Sequence, residues 1–205
     1  MKKLIISKCM DYIKKNTDYN SIKLKEIEYG LISIYLTISK MIIIIFISLI
    51  LGIFKEMLLF SLIYNIIRMP SFGLHATKSW ICLIVSTTLF IGIPYLATMI
   101  EFSLLFKIII SMFGILLMLK NSPADTKKKP IVNRKRRRRL KILSAIISII
   151  YSILSIILKN QIICNYFLLS LILQNIMISP FTYKIFNQPY NNYITFLKEH
   201  PDFIN

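Results

Sequence analysis

Residues 31–54 read LISIYLTISKMIIIIFISLILGIF, a stretch whose only charge is Lys40. As a helix it rises roughly 36 Å at 1.5 Å per residue, more than the ~30 Å hydrocarbon thickness of a bilayer. Comparable apolar runs follow at Trp80–Thr98, Phe102–Leu119, Ile142–Leu158 and Ile162–Tyr183. A shorter one, Met57–Ile67, rises only about 16 Å, so it either extends toward Met69 or penetrates part-way. Composition agrees, with 56% hydrophobic residues and a mean hydropathy of +0.65, a balance that excludes an ordinary soluble domain. The runs are rich in Ile and Leu, and Gly or Pro interrupts them only at Gly52, Gly92, Pro94, Gly114 and Pro180. Helices satisfy their own backbone hydrogen bonds in lipid, and the alternation of a membrane β-barrel is not visible. The expected fold is therefore all-α, a polytopic membrane protein with about six transmembrane or partly inserted helices.

Charge gives the expected orientation. Lys+Arg number 26 against 9 acidic residues, a formal net charge of +17. The cations crowd two places. The first is the amino-terminal stretch with Lys2, Lys3, Lys8, Lys14, Lys15, Lys23 and Lys25; the second runs from Lys127 to Lys141. The positive-inside rule places both in the cytoplasm, with an even number of crossings between them. Ile6, Met10 and Ile13 share one helical face ahead of the first span, which reads as an interfacial amphipathic helix. No cleavable signal pattern is expected, since the Leu4-Ile5-Ile6 run is interrupted at once by Ser7 and Lys8. The expected organisation is an interfacial segment at 1–30, a membrane domain at 31–183 that includes a cytoplasmic basic loop at 120–141, and a cytoplasmic tail at 184–205.

Chemistry concentrates in Arg68-Met-Pro-Ser-Phe-Gly-Leu-His75-Ala-Thr-Lys-Ser-Trp-Ile-Cys82. A histidine that removes the thiol proton turns Cys82 into a nucleophile and can later protonate a leaving amine. On an unbroken helix the two residues would lie about 10.5 Å apart along the axis, too far for proton transfer. Pro70 and Gly73 permit Arg68–Ala76 to be irregular and to fold His75 back over the next helix, with Thr77 or Ser79 as its N-cap. Cys82 then lies in the opening turns, where the backbone dipole favours a thiolate and exposed amides can hold an oxyanion. A packing role for both residues explains the same spacing. No Asp or Glu lies between Arg68 and Cys82. Asn65 and Asp125 are the candidates to approach from elsewhere, and a structural role is favoured for both. Cys9 and Cys164 have no nearby His, and no CxxC or His cluster suggests a metal, so neither metal nor cofactor is expected. His200 is assigned no role. Lys40 and Lys107 are costly if they face lipid.

Ser122-Pro-Ala-Asp-Thr126, followed by Lys127, Lys128, Lys129 and Pro130 and by the run from Arg134 to Arg139, is the other dense feature. Cations held at an anionic inner leaflet explain it simply. They can also capture an acidic peptide, since each arginine binds a carboxylate bidentately. Nucleic-acid binding is excluded by the lipid setting and the lack of any recognition fold.

Arg68-x-x-x-Phe-Gly-Leu-His75-Ala with Cys82, Pro123-Ala-Asp-Thr126 with its basic run, and the Leu173-Gln174 to Ser179-Pro180 region together resemble the accessory gene regulator B (AgrB) family. These membrane peptidases serve Gram-positive quorum sensing. The resemblance implies that His75 and Cys82 are the catalytic pair of a cysteine endopeptidase that cleaves an AgrD-like propeptide through a Cys82 thioester. A thiolactone or lactone ring then closes. It further implies substrate contacts from Arg68, Gly73, Lys127, Lys128, Lys129, Arg134 and Arg136, and a possible homodimer in the cell membrane. The chain has Phe72-Gly73 where the family commonly has Gly-Gly. A peptide exporter and a noncatalytic scaffold are the competing readings.

Overall fold

The computed structural model describes residues 2–17, 19–74, 79–127 and 130–199, and these form helices α1 to α9 with no strand among the described residues. His75, Thr77, Lys128, Lys129 and His200 lie outside the described residues, as does the Ser79 side chain. The chain divides into two compact units, Met1–Gly52 and Ile53–Asn205.

The first unit pairs α1 (Lys2–Asn16) with α2 (Ser21–Ile50). The apolar face expected of α1 is present, with Ile6 and Met10 buried and Ile13 half-buried. Helix α2 departs from the expected span Leu31–Phe54 at both ends. It starts ahead of the apolar run because the Asn20 side chain accepts from the Lys23 amide at 2.9 Å, a cap that local polarity does not oppose. It stops at Ile50 because Gly52 takes φ +69 and turns the chain. The helix therefore runs continuously across residues 30 and 31, where a segment boundary was expected.

The second unit contains α3 (Phe54–Ser71), α4 (Ser79–Met99), α5 (Leu104–Asn121), α6 (Arg134–Ile157), α7 (Gln161–Ile178), α8 (Pro180–Ile185) and α9 (Asn192–Glu199). Together with α2, the helices α4 to α7 are long and apolar enough to cross a membrane. Helix α3 has 18 residues and rises about 27 Å, so the Met57–Ile67 run belongs to a full-length helix that carries Lys55, Glu56 and Arg68 near its ends. Helix α7 is central, packing on α3, α4, α5 and α6; 56% of its apolar window is buried, against 11% for α4. It ends at Ile178 rather than Tyr183, since the Ser179 side chain caps α8 and Pro180 opens it.

The bundle has two distinct ends. At one, Asn165 on α7 donates to the Ala97 and Ile100 carbonyls at 2.9 and 2.7 Å. There Lys107 reaches the Gln161 Oε1 at 3.4 Å. Lys107 is buried among protein rather than turned to lipid, while Lys40 is half-buried. At the other end the termini of α3, α5 and α7 converge. The Ser122 hydroxyl donates to Ser144 at 2.7 Å, tying the end of α5 to α6. The expected basic loop 120–141 is shorter than its charge run, because Asn133 accepts from the Arg136 amide at 3.0 Å and starts α6 at Arg134. Arg134 to Lys141 are thus helical.

Close packing of α6 rests on small residues. Ser144, Ser148, Ser152 and Ser155 are buried, and each donates to a carbonyl about one turn back on the same helix. The hydroxyls need no partner on another helix, and their small size lets neighbours approach. Ser148→Ala is therefore expected to leave the thermal midpoint of the detergent-solubilised chain nearly unchanged, whereas Ser148→Leu overpacks the seam, costs about 1–3 kcal/mol and lowers it.

Candidate active site

Helix α3 continues through Pro70 to Ser71, so the expected irregular stretch Arg68–Ala76 begins four residues later than its first residue, at Phe72. Pro70 has no N–H for the Ile66 carbonyl one turn back, and the helix ends one residue after it. Phe72 then takes φ 58, ψ −129, a conformation normally left to glycine. Holding a bulky residue there costs on the order of 1–3 kcal/mol, which surrounding contacts must offset. Gln174 Nε2 donates to the Phe72 carbonyl and to the Ser71 hydroxyl, both at 2.7 Å, and Gln174 is fully buried.

The next two residues are held from two further sides. Phe72 and Ala124 form an isolated parallel β-bridge, in which the Ala124 amide donates to Ser71 and the Gly73 amide donates to Ala124, each at 3.0 Å. The Leu74 amide donates to the Met177 carbonyl at 3.0 Å. Gly73 sits at φ +117, and a Cβ added there would stand 3.1 Å from the Met177 carbonyl oxygen. Glycine is required twice over, for its dihedral and for the close approach of α7. Phe72 occupies the place of the first glycine of the expected pair and pays the conformational cost in its stead.

Arg68 closes the frame. Its Nη1 donates to the Tyr64 hydroxyl at 2.7 Å and its Nη2 to the Leu74 carbonyl at 3.2 Å. Both polar groups of Leu74 are thereby fixed at the residue that precedes His75 in the chain. Beyond residues 75–78, Cys82 lies in the first turn of the described part of α4, half-buried, with its Sγ 4.0 Å from the Ser86 hydroxyl. None of the cysteines forms a disulfide. Cys164 is a packing residue, its thiol donating to the Leu158 carbonyl at 3.0 Å, and Cys9 is exposed.

Of the other expected site residues, Lys127, Arg134 and Arg136 are exposed and are not drawn into the Phe72–Leu74 frame by any described contact. Asn65 donates to Ser61 on its own helix. Asp125 is buried and its carboxylate is occupied by amides from residues 131, 192 and 193, which makes it structural. No group of three or more metal-binding side chains occurs among the described residues. Gln174, Ser71 and Met177 are framework residues that the sequence reading did not single out as site residues. A glutamine in an apolar span was the available signal for Gln174, since an intramembrane polar side chain needs a partner.

Comparison with known proteins matches this arrangement to one family. The accessory gene regulator B profile matches residues 6–178. The chain is 28% identical over 184 residues to an AgrB-like protein of Clostridium acetobutylicum, covering 90% of this chain and 88% of that one. It is 29% identical over 168 residues to an AgrB-like protein of Listeria innocua, with 82% of each chain covered. It is 28% identical over 169 residues to accessory gene regulator protein B of Staphylococcus aureus, covering 82% of this chain and 89% of that one. No solved structure matches. With the family profile matching residues 6–178, this multi-pass helical chain, whose Phe72–Leu74 segment is held by α3, α7 and the turn after α5, belongs to the accessory gene regulator B family.

Proposed function

We propose that the chain is a membrane cysteine endopeptidase that cleaves the carboxyl-terminal segment from an AgrD-like propeptide and promotes ring closure of the remainder. The observation that carries this reading is the frame around Leu74, which fixes the chain entering His75 on one side while Cys82 stands at the head of α4 on the other.

In the first step His75 takes the Cys82 proton, and the thiolate attacks the carbonyl carbon of the scissile peptide bond. The C–N bond breaks as His75 returns the proton to the leaving amine, and the acyl group remains on Cys82 as a thioester. Amides at the start of α4 are the natural oxyanion donors. A cysteine thiol or serine hydroxyl of the bound peptide then attacks the thioester carbonyl. Its proton passes through His75 to the departing Cys82 sulfur, and a thiolactone or lactone ring is released. Exclusion of water preserves the acyl bond for transfer.

The exposed cations Lys127, Arg134 and Arg136, with Lys128 and Lys129, serve to capture the acidic tail of the propeptide. Their charge also supports an orientation in the cytoplasmic membrane with both termini and the site on the cytoplasmic side. A reducing compartment keeps Cys82 free of disulfides. Reconstitution of the full chain in liposomes with a synthetic AgrD-like propeptide tests the reading. Cys82→Ala is expected to abolish cleavage, the wild type to yield a peptide thioester on Cys82 by mass spectrometry, and Arg134→Gln with Arg136→Gln to raise KM more than it lowers kcat. Normal processing by Cys82→Ala contradicts the peptidase and favours an export role.

A further inference from the structure

The tail, expected as a cytoplasmic extension at 184–205, is built into the other end of the frame. Helix α9 has eight residues, and its start rests on one carboxylate. Asp125 Oδ1 accepts from the Asn192 amide at 3.0 Å and Oδ2 from the Tyr193 amide at 2.8 Å. The same Oδ2 accepts from the Ile131 amide at 3.3 Å. A carboxylate at a helix start satisfies orphan amides and meets the positive end of the dipole. Arg137 adds a second attachment, with its guanidinium 3.6 Å over the Tyr193 ring and its Nη1 3.7 Å from Asp125. The Asp125 carbonyl accepts from the Tyr183 hydroxyl at 3.0 Å and from Asn192 Nδ2 at 3.3 Å. Tyr190 packs edge-on against Tyr183, with centroids 5.2 Å apart, and burial keeps its phenol above the ordinary tyrosine range, so it remains neutral.

Asp125 is 2% exposed, and each oxygen of its carboxylate already has a donor. It is therefore not a proton carrier for His75. Yet it is bonded directly to Ala124, whose amide and carbonyl hold Ser71 and Gly73. Only one peptide unit separates the anchor of α9 from the bridge that fixes the chain entering His75. Ser122 through Ser144 and Tyr183 through the Ala124 and Asp125 carbonyls also hold this segment, but the Asp125 carboxylate alone ties it to α9 through two main-chain amides, and the opposite partner, Phe72, sits in an unfavourable backbone conformation of its own.

We propose that Asp125 is a positioning residue and that α9 is a latch: by seating on the Asp125 carboxylate, the carboxyl-terminal helix locks the Ala124–Phe72 bridge and thereby the backbone of Phe72–Leu74 that leads to His75. The inference rests on the peptidase reading and adds to it a requirement for the carboxyl terminus. Asparagine at 125 keeps the size of the side chain but turns one acceptor into a donor facing amides, so it breaks the seat without creating a cavity.

The test uses the full chain in liposomes with a synthetic AgrD-like propeptide carrying an acidic tail. Asp125→Asn is expected to lower kcat about 10- to 100-fold, the scale of a roughly 1 Å misplacement, with KM unchanged. Deletion of residues 192–205 gives the same loss, and combining the two gives no further loss, because both break one link. Should Asp125→Asn accumulate poorly, Tyr193→Pro removes the 2.8 Å donor at a first-turn position that tolerates proline, and the same kcat loss is expected. Iodoacetamide reports on the fold, since Cys164 is 1% exposed and stays unlabelled while the bundle is intact. Wild-type kcat in Asp125→Asn, multiplying losses in the combined variant, or labelling of Cys164 alongside the loss would each overturn the latch. Cleavage by Cys82→Ala instead refutes the peptidase reading itself, and an inactive Cys82→Ala beside a fully active Asp125→Asn removes the latch alone.

Discussion

Irregular backbone buried away from water survives only where protein groups satisfy its N–H and C=O groups, and the segment Phe72–Leu74 is where this chain meets that constraint. Three sources satisfy it. The turn after α5 supplies Ala124, the end of α7 supplies Gln174 and the Met177 carbonyl, and α3 supplies Arg68. Each N–H or C=O left unpaired there would cost about 1–3 kcal/mol, so the elements that provide partners cannot move independently. The convergence of three helix ends follows from this requirement. The same requirement lets a residue as large as Phe72 persist at a positive φ.

Chemistry benefits from that arrangement because it separates rigidity from exposure. The Cys82 thiol is half-buried near the head of a helix, while Phe72–Leu74, which leads to the proposed base His75, is held by main-chain bonds. Acyl transfer within one bound peptide requires that the two groups hold their relation through both attacks. It also requires that water compete poorly for the thioester. Lys107 and the Gln161–Asn165 pair lie at the opposite end of the bundle, so they close the far end structurally and do not touch the frame.

The helices were legible because apolar runs of sufficient length have few alternatives in lipid. The positive φ at Gly73 was legible from its residue type, whereas the pairing of His75 with Cys82 is a proposal that rests on residue types and on family resemblance. Helix starts at Ser21 and Arg134 were missed although the signals, Asn20 and Asn133, stand in the sequence, because a run of cations reads as a loop when charge alone is weighed. The long-range partners were not legible. Gln174 with Phe72, and Asp125 with Asn192 and Tyr193, join positions far apart in the chain, and no local pattern encodes which distant backbone group an isolated polar side chain will meet. Asp125 was legible as a residue with a structural role, but not as the seat of a helix that starts 67 residues later.

The central claim is that main-chain hydrogen bonds from α5's following turn and from α7 hold the chain entering His75. Amide hydrogen exchange on the full chain in lipid nanodiscs measures it directly at Gly73, Leu74 and Ala124. Slow exchange at all three, on the scale of the surrounding helix interiors, is the predicted result. Exchange at these amides as fast as in an exposed loop, with α3 and α7 still protected, contradicts the account.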